Sequence, residues 1–255
     1  RQDELRVSDL VAVVTGKLLG HVVSRTGAAA DPEKTQAIVE FAALKDINAL
    51  RQFIGCTNWV RWYLDQAYST AVKILGAYMK PGADFGPSPG LGREGDNSEG
   101  AVAFRAIKEM CKHTIEVSSM DEASAIDGSR PLEQVADASG LAWGSTNLQM
   151  TVDLSRFKVL LMVGKGFTPA QQAWPPLILE AYAQLAGKRA QRKILGSMRS
   201  LSWTDHANLT KQQVVESVDI DPKLLRWIAE ICQDGSEIRS LAGRTARLGD
   251  GTSRN

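Results

Sequence analysis

The sequence predicts a mixed α+β chain: a small helical unit followed by a mixed five-stranded sheet with flanking helices. Three observations predict it. Apolar residues recur at helical spacing between positions 31 and 79. A glycine- and proline-rich stretch over 81–98 then interrupts the pattern. From 132 to 241, β-type runs alternate with longer helical patterns, which is the signature of a sheet carrying helices on its faces.

The elements follow in order. Residues 6–27 read as two strands, 7–15 and 18–24, turning around Gly16 and Lys17. Asp31, with Pro32 at the first position and Glu33 beside it, opens a helix whose apolar face is Ala37, Ile38 and Phe41. A second helix starts after Asp46 with Ile47, Leu50, Phe53 and Ile54 at helical spacing. Trp59, Val60, Tyr63 and Leu64 suggest a third, and Val72, Leu75 and Met79 a fourth. Trp59, Trp62 and Tyr63 are either core or a stacking surface for nucleic acid. Residues 81–98 read as a flexible linker. Gly90-x-Gly92-x-x-Gly95 matches a dinucleotide-binding pattern there, but no strand precedes it and three prolines crowd it, so the context that gives the motif meaning is missing.

A helix follows over 99–111. The runs 132–136, 142–150 and 157–163 read as successive strands, the last strongly apolar and therefore expected at the sheet centre. Thr168-Pro-Ala-Gln171 is a capping box with proline at the first helical position, and Pro175-Pro176 starts a second helix that turns Leu177, Ala181 and Leu185 to the core. Residues 201–204 and 236–241 supply the last two strands, with a helix marked by Leu224, Leu225, Ile228 and Ile231 between them.

Composition excludes several classes. The 255 residues are 44% hydrophobic and 23% charged, ordinary for a globular chain of one large or two small domains. A net charge of +1 advertises no global nucleic-acid-binding field, so any such surface is local. Cys56, Cys111 and Cys232 form no CxxC pair, which argues against a zinc site or a disulfide framework and for a reducing compartment. The apolar runs 10–14 and 159–163 are too short to span a bilayer, and the start lacks a signal-peptide pattern and a methionine, as expected of a processed or excised piece.

Four acidic residues carry the chemistry. Asp137 follows the 132–136 strand, Glu180 lies on the Pro176 helix, Asp205 ends the 201–204 run and is followed by His206, and Asp250 lies near the C-terminus among glycines. Hard divalent ions such as Mg²⁺ or Mn²⁺ take oxygen ligands, so a cluster of carboxylates is the protein side of such a site. Spacing alone does not select these four from 29 acidic residues, most of which belong on a solvated surface. Lys188, Arg189, Arg192, Lys193 and Arg199 form one basic cluster without an intervening acid: either a phosphate-tracking surface or a solvated face. Asn208-Leu-Thr210 is a glycosylation sequon, read as chance in an intracellular protein.

Context sharpens the acids. Val135-Ala-Asp-Ala-Ser-Gly-Leu-Ala-Trp-Gly144, Gly166-Phe-Thr-Pro-Ala-Gln-Gln-Ala-Trp-Pro175, Leu179-Glu-Ala-Tyr-Ala183 and Trp203-Thr-Asp-His-Ala-Asn-Leu209 together resemble the ribonuclease H domain of a gypsy-type LTR retrotransposon Pol polyprotein. Upstream, Leu19-Gly-His-Val-Val-Ser24, Asp31-Pro-Glu-Lys34 and Leu50-Arg-Gln-Phe-Ile-Gly55 resemble the end of the palm and the thumb of that family's reverse transcriptase. The resemblance runs in order from about Leu18 to Arg254.

It implies a palm-end hairpin over 1–27 that holds the primer strand, a helical thumb-like unit over 28–80, a linker over 81–98 and a ribonuclease H-like domain over 99–255. It implies two Mg²⁺ or Mn²⁺ ions held by Asp137, Glu180, Asp205 and Asp250, hydrolysing the RNA strand of an RNA–DNA hybrid. His206 either assists a metal-bound water or is structural. The implied partners are the hybrid and the remaining fingers and palm, or a host assembly, in cytoplasm or nucleus, with oligomerisation open.

The chain departs from the family in places. The Tyr-x-Asp-Asp polymerase signature is absent, the acid usually two positions before the catalytic glutamate is Ile178, and the Asp250 segment reads Gly-Asp-Gly-Thr. These departures leave open a domesticated, non-catalytic subunit as the alternative to an active nuclease.

Overall fold

A computed structural model describes residues 15–210 and 221–241. It contains a four-stranded antiparallel sheet, with its strands side by side in chain order, and a five-stranded mixed sheet. Helices pack on the five-stranded sheet, so the expected mixed α+β architecture, a helical unit and a mixed five-stranded sheet with flanking helices, is the observed one. No helix among the described residues is long and apolar enough to cross a membrane.

The first sheet begins with β1 (Thr15–Leu18) and β2 (His21–Ser24), paired Leu18 to His21. The turn therefore lies at Leu19–Gly20, not at the expected Gly16–Lys17, which are strand residues. Leu19 and Gly20 both have positive φ, 49° and 79°, the geometry of a two-residue hairpin turn whose twist matches its strands. The sequence signal was weak because leucine occupies a place where glycine or asparagine is usual. The expected strand over 7–15 lies, up to residue 14, outside the described residues. Two short strands were not expected: β3 (Gly27–Ala30), and β4 (Val117–Ser118), which comes in from far along the chain to close the sheet.

The helical unit packs α1 (Pro32–Val39), α2 (Ile47–Val60), α3 (Ala67–Leu75) and α4 (Glu99–Lys112) around Leu50, Phe53, Leu75, Phe104 and Ile107. The Asp31, Asp46 and Ser98 side chains cap α1, α2 and α4 as N-cap acceptors. The expected third helix is instead the end of α2 and a 3₁₀ turn, Arg61–Tyr63, and the fourth is α3 followed by a second 3₁₀ turn, Gly76–Met79.

Residues 81–98 pack as an ordered strap, which corrects the flexible linker. Leu44 and Leu91 exchange two backbone hydrogen bonds of 2.9 Å, and Leu91 is buried. Asp96 accepts from the N–H groups of Ser98 and Gly92, which holds its carboxyl down at about 2. The three motif glycines all have positive φ, and a Cβ on Gly90 would sit 2.4 Å from the Leu44 carbonyl oxygen. Their spacing reports a tight strap, not a phosphate cradle. Helix α4 follows it into the helical core, where Phe53 and Phe104 meet at 4.6 Å. The segment 99–112 thus packs with the helical unit and not with the second sheet, as the 99–255 boundary had expected.

The second sheet is built from β5 (Leu132–Ala138), β6 (Ala142–Met150), β7 (Phe157–Gly166), β8 (Ser200–Thr204) and β9 (Glu237–Ser240). The first three form an antiparallel meander, and β8 and β9 add in parallel beyond β5. The apolar β7 is the edge strand, not the centre. It is apolar because α3 and β4 pack against it, a burial that sequence cannot separate from centrality.

A short α5 (Glu122–Ile126) precedes the sheet, and α6 (Pro169–Gln172), closed by the expected Thr168–Gln171 capping box, leads into α7 (Pro176–Ile194). α7 lies across β5 and β6, and α8 (Pro222–Cys232) packs on it. The helical unit docks on the opposite face, where Gly144, Gly164 and Gly166 leave room for Gln66, Ser69 and Lys73.

Candidate functional site

The parallel register of the central strands pairs Val135 with Trp203. Asp137 and Asp205 each lie two residues further on, so they emerge at the same level on neighbouring strand ends. Asp137 is the penultimate residue of β5, inside the strand it had been expected to follow, and it is exposed. Glu180, on the second turn of α7, reaches the same point from above the sheet and is only 5% exposed.

The backbone N–H of Ala138 donates to Glu180 Oε1 at 3.2 Å, while Oε2 is buried without a partner among the described residues. His206 Nδ1 lies 2.7 Å from Asp205 Oδ1, and its backbone N–H donates to Thr204 Oγ1 at 3.1 Å. Ligand atoms of Glu180, Asp205 and His206 all lie within 4.8 Å of one another. Asp137 adds its negative charge beside them. Burial, then the Asp137 charge and then that of Asp205, push the Glu180 carboxyl up to about 8, against the pull of the Ala138 N–H. Asp250 lies outside the described residues.

What holds Glu180 in place was not legible as function. One turn on, Gln184 is fully buried and donates from Nε2 to the carbonyls of Trp203, at 2.8 Å, and Ala136, at 3.4 Å. Gln134 Nε2 donates back to the Gln184 carbonyl at 2.9 Å. These amides sew α7 to the two strands that carry Asp137 and Asp205. The available signal was a glutamine four residues after Glu180, beside an otherwise apolar stripe. Tyr182 sits among Trp143, Phe167, Trp174 and Trp227, and the Lys223 ammonium lies 3.7 Å from the Trp174 ring centroid.

The structure corrects the basic cluster. Lys188 is fully buried, donating to Ser236 Oγ (2.6 Å), Ser200 Oγ (2.8 Å) and the Met198 carbonyl (2.9 Å), with Asp234 at 3.0 Å. Arg189 forks onto Glu230, Arg192 pairs with Asp234 and the Glu230 carbonyl, and Arg199 pairs with Glu237. These four cations join α7 and β8 to α8, β9 and the loop between them. Of the five, only Lys193 is exposed without a carboxylate partner among the described residues. The sequence showed the cations contiguously but not the acids of 230–237 that fold back onto them. Upstream, Tyr63 is buried and its hydroxyl lies 3.0 Å from His21 Nδ1, whereas Trp59 is 47% exposed and stacks on the His21 ring at 5.3 Å.

No family model matches the chain. It is similar to the retrovirus-related Pol polyprotein from transposon opus of Drosophila melanogaster, 24% identical over 246 residues, covering 93% of this chain and 23% of that protein. The fold is similar to that of the foamy viral protease-reverse transcriptase solved in complex with an RNA/DNA hybrid, with a TM-score of 0.64 and 14% identity over 90% of this chain and 29% of that one. The same viral enzyme in complex with double-stranded DNA gives a TM-score of 0.65 and 14% identity, over 91% of this chain and 45% of that one. The chain therefore spans less than half the length of each of these relatives. In sequence the chain is thus similar to part of a retrovirus-related Pol polyprotein, and in fold to part of a viral protease-reverse transcriptase.

Proposed function

We propose that the chain hydrolyses the RNA strand of an RNA–DNA hybrid as the ribonuclease H portion of a retroelement reverse transcriptase, using two divalent ions, Mg²⁺ or Mn²⁺. The observation that carries this reading is the convergence of Glu180, Asp205 and His206 within 4.8 Å, with the Asp137 charge acting on Glu180 from the neighbouring strand end. Divalent cations fit these residues. The donor set is mainly oxygen, Glu180 Oε2 is buried without a hydrogen-bond partner among the described residues, and the crowded negative charge calls for a counter-charge.

Asp137, Glu180 and Asp205 would hold the ions, with Asp250 a further candidate. When bound, such ions activate a water and stabilise the departing 3′ oxygen. The chain's own contribution is placement. Ala138 and Gln184 fix α7 against the strands, so Glu180 meets the site in one orientation. Asp205 orients the His206 ring, which offers a nitrogen able to take or release a proton beside the cluster. The likeness to a reverse transcriptase solved on an RNA/DNA hybrid supports nucleic acid as the partner. Polymerisation is not assigned to this chain, which lacks the Tyr-x-Asp-Asp signature. Residues 1–27 are assigned as the palm end, and 28–80, joined by the strap and α4, as the thumb-like unit.

A second reading, a non-catalytic structural or nucleic-acid-binding subunit, is favoured by the internal pairing of Arg189, Arg192 and Arg199, which removes the expected phosphate surface. Hydrolysis of a labelled RNA–DNA hybrid with Mg²⁺ or Mn²⁺ decides between them, with Asp137→Asn and Glu180→Gln as controls. Cleavage of the RNA strand alone, lost in both variants, supports the nuclease. Hybrid binding without cleavage by the native chain favours the second reading.

A further inference from the structure

We propose that the cleft between the helical unit and the β7 edge is a track for single-stranded nucleic acid. The cleft measures about 1160 Å³ and runs along residues 162–166 of the terminal strand, between α3 and α7. That is slightly larger than the ~300–1,000 Å³ of a small-molecule site and suits a few nucleotides of extended strand.

Its cations come from separate parts of the fold: Arg61 from a 3₁₀ turn, Lys73 from α3, Lys80 beyond it, Lys165 from β7 and Lys193 from α7. None has a carboxylate partner within ion-pair distance among the described residues, in contrast to Arg189, Arg192 and Arg199. In a chain of net charge +1, five free cations on one cleft make a local field that neither composition nor sequence order displays. The lining contains one acid, Asp65, whose carboxylate is engaged by the Ala67 N–H at 2.8 Å.

Two indoles line the same space. Trp62 carries the Arg61 guanidinium 4.6 Å from its ring centroid, and Trp143 meets Tyr182 edge-on. A basic groove with aromatic faces is how single strands are held without reading sequence: cations follow the backbone and rings accept bases. The placement suits a strand leaving the acid cluster, because Trp143 pairs across the sheet with Ala138, next to Asp137. Gly166 lets the Lys73 stem cross the strand, since a Cβ there would lie 2.9 Å from Lys73 Cδ. The inference rests on the nuclease reading only for where the strand comes from. The cations and indoles stand without it.

The test is fluorescence anisotropy of a labelled oligothymidylate of about 12 nucleotides, within the ~4–16 of known single-strand sites, titrated at several salt concentrations. The native chain is compared with Lys73→Gln/Lys165→Gln/Lys193→Gln and with the matching triple arginine variant. With each single-strand phosphate contact contributing about −0.7 to the slope of log affinity against log salt, the glutamine variant should be shallower by roughly 2 and bind at least about tenfold more weakly, while the arginine variant keeps both. No binding by the native chain, an unchanged slope in a glutamine variant that melts as native, or equal loss in both variants overturns the proposal. So does preference of the native cleft for an extended acidic peptide, which would make β7 a docking edge for a protein. Hybrid cleavage on the same samples separates the two ideas: absent cleavage with oligonucleotide binding intact sinks the nuclease alone, and intact cleavage with an unchanged slope sinks the cleft alone.

Discussion

The Ala138 N–H donates to Glu180 Oε1 at 3.2 Å, joining the end of the central strand to a helix 42 residues later. That bond fixes one oxygen of a buried carboxylate whose other oxygen has no hydrogen-bond partner among the described residues and faces negative neighbours. The acid cluster is therefore a place where the fold stores electrostatic cost, and its first consequences are in pH and metal dependence.

Glu180 has its pKa raised from the ordinary carboxylate range to about 8, so the folded state holds this proton more tightly than the unfolded chain. The stabilisation is complete below the ordinary value and is lost as pH rises from there through about 8. Metal-free thermal melts should show declining stability across that window, and Glu180→Gln should flatten the decline. Millimolar Mg²⁺ or Mn²⁺ should raise the melting temperature of the native chain most at the alkaline end, where Glu180 is ionised, with little effect on the variant. A metal response that persists unchanged in Glu180→Gln would remove Glu180 from the site.

Lys188 is the structural counterpart of this cluster. Its buried ammonium joins α7 to the starts of β8 and β9 through Ser200, Ser236 and Asp234. Lys188→Met leaves Asp234 paired with Arg192 alone and takes the donor from Ser200 and the Met198 carbonyl, and should cost about 1–3 kcal/mol in urea unfolding. Lys188→Met/Asp234→Asn should not recover that loss, because Arg192 then lacks its carboxylate. A single variant as stable as native would show that the ammonium contributes nothing to holding α7.

How far the sequence carried follows from these residues. Strands β5 and β6, α6 with its capping box and the start of α7 were legible because local signals set them: alternation, a Thr-x-x-Gln spacing and prolines. The acids were legible through motif context, since 42 residues of intervening chain hide the meeting of Asp137 and Glu180 from any spacing rule. The basic run misled because its acceptors, Glu230, Asp234 and Glu237, arrive from later elements. The place of β7 misled because an edge strand covered by α3 is as apolar as a central one.

Docking of the helical unit on the sheet depends on missing side chains. A Cβ on Gly164 would lie 2.4 Å from Ser69 Oγ and 2.9 Å from the Trp143 carbonyl oxygen. Ser69 can rotate, but the carbonyl belongs to the neighbouring strand and cannot move without disturbing the ladder. Gly164→Ala should therefore destabilise by about 1–3 kcal/mol, the range for overpacking, and speed limited proteolysis between the two units. Ser69→Gly in the same chain should relieve only the part due to the hydroxyl, and full recovery would show that the carbonyl approach is harmless.

Beneath α7 the interior is unusually polar. Asn147 is fully buried on β6, and neither its Oδ1 nor its Nδ2 finds a protein partner among the described residues. A buried amide unsatisfied by protein costs about 1–3 kcal/mol, and a leucine of similar size removes that cost while adding apolar burial against α7. Asn147→Leu should thus stabilise the chain by about 1–3 kcal/mol, read as a higher urea midpoint with an unchanged slope. The neighbouring Ser145 Oγ, which a Cβ on Gly187 would approach to 2.2 Å, limits how large the new side chain's environment can become, so Gly187→Ala should destabilise where Asn147→Leu stabilises. Loss of stability in Asn147→Leu would mean that the amide is satisfied in solution, by water held between β6 and α7, and would turn this seam from a cost into a hydrated joint.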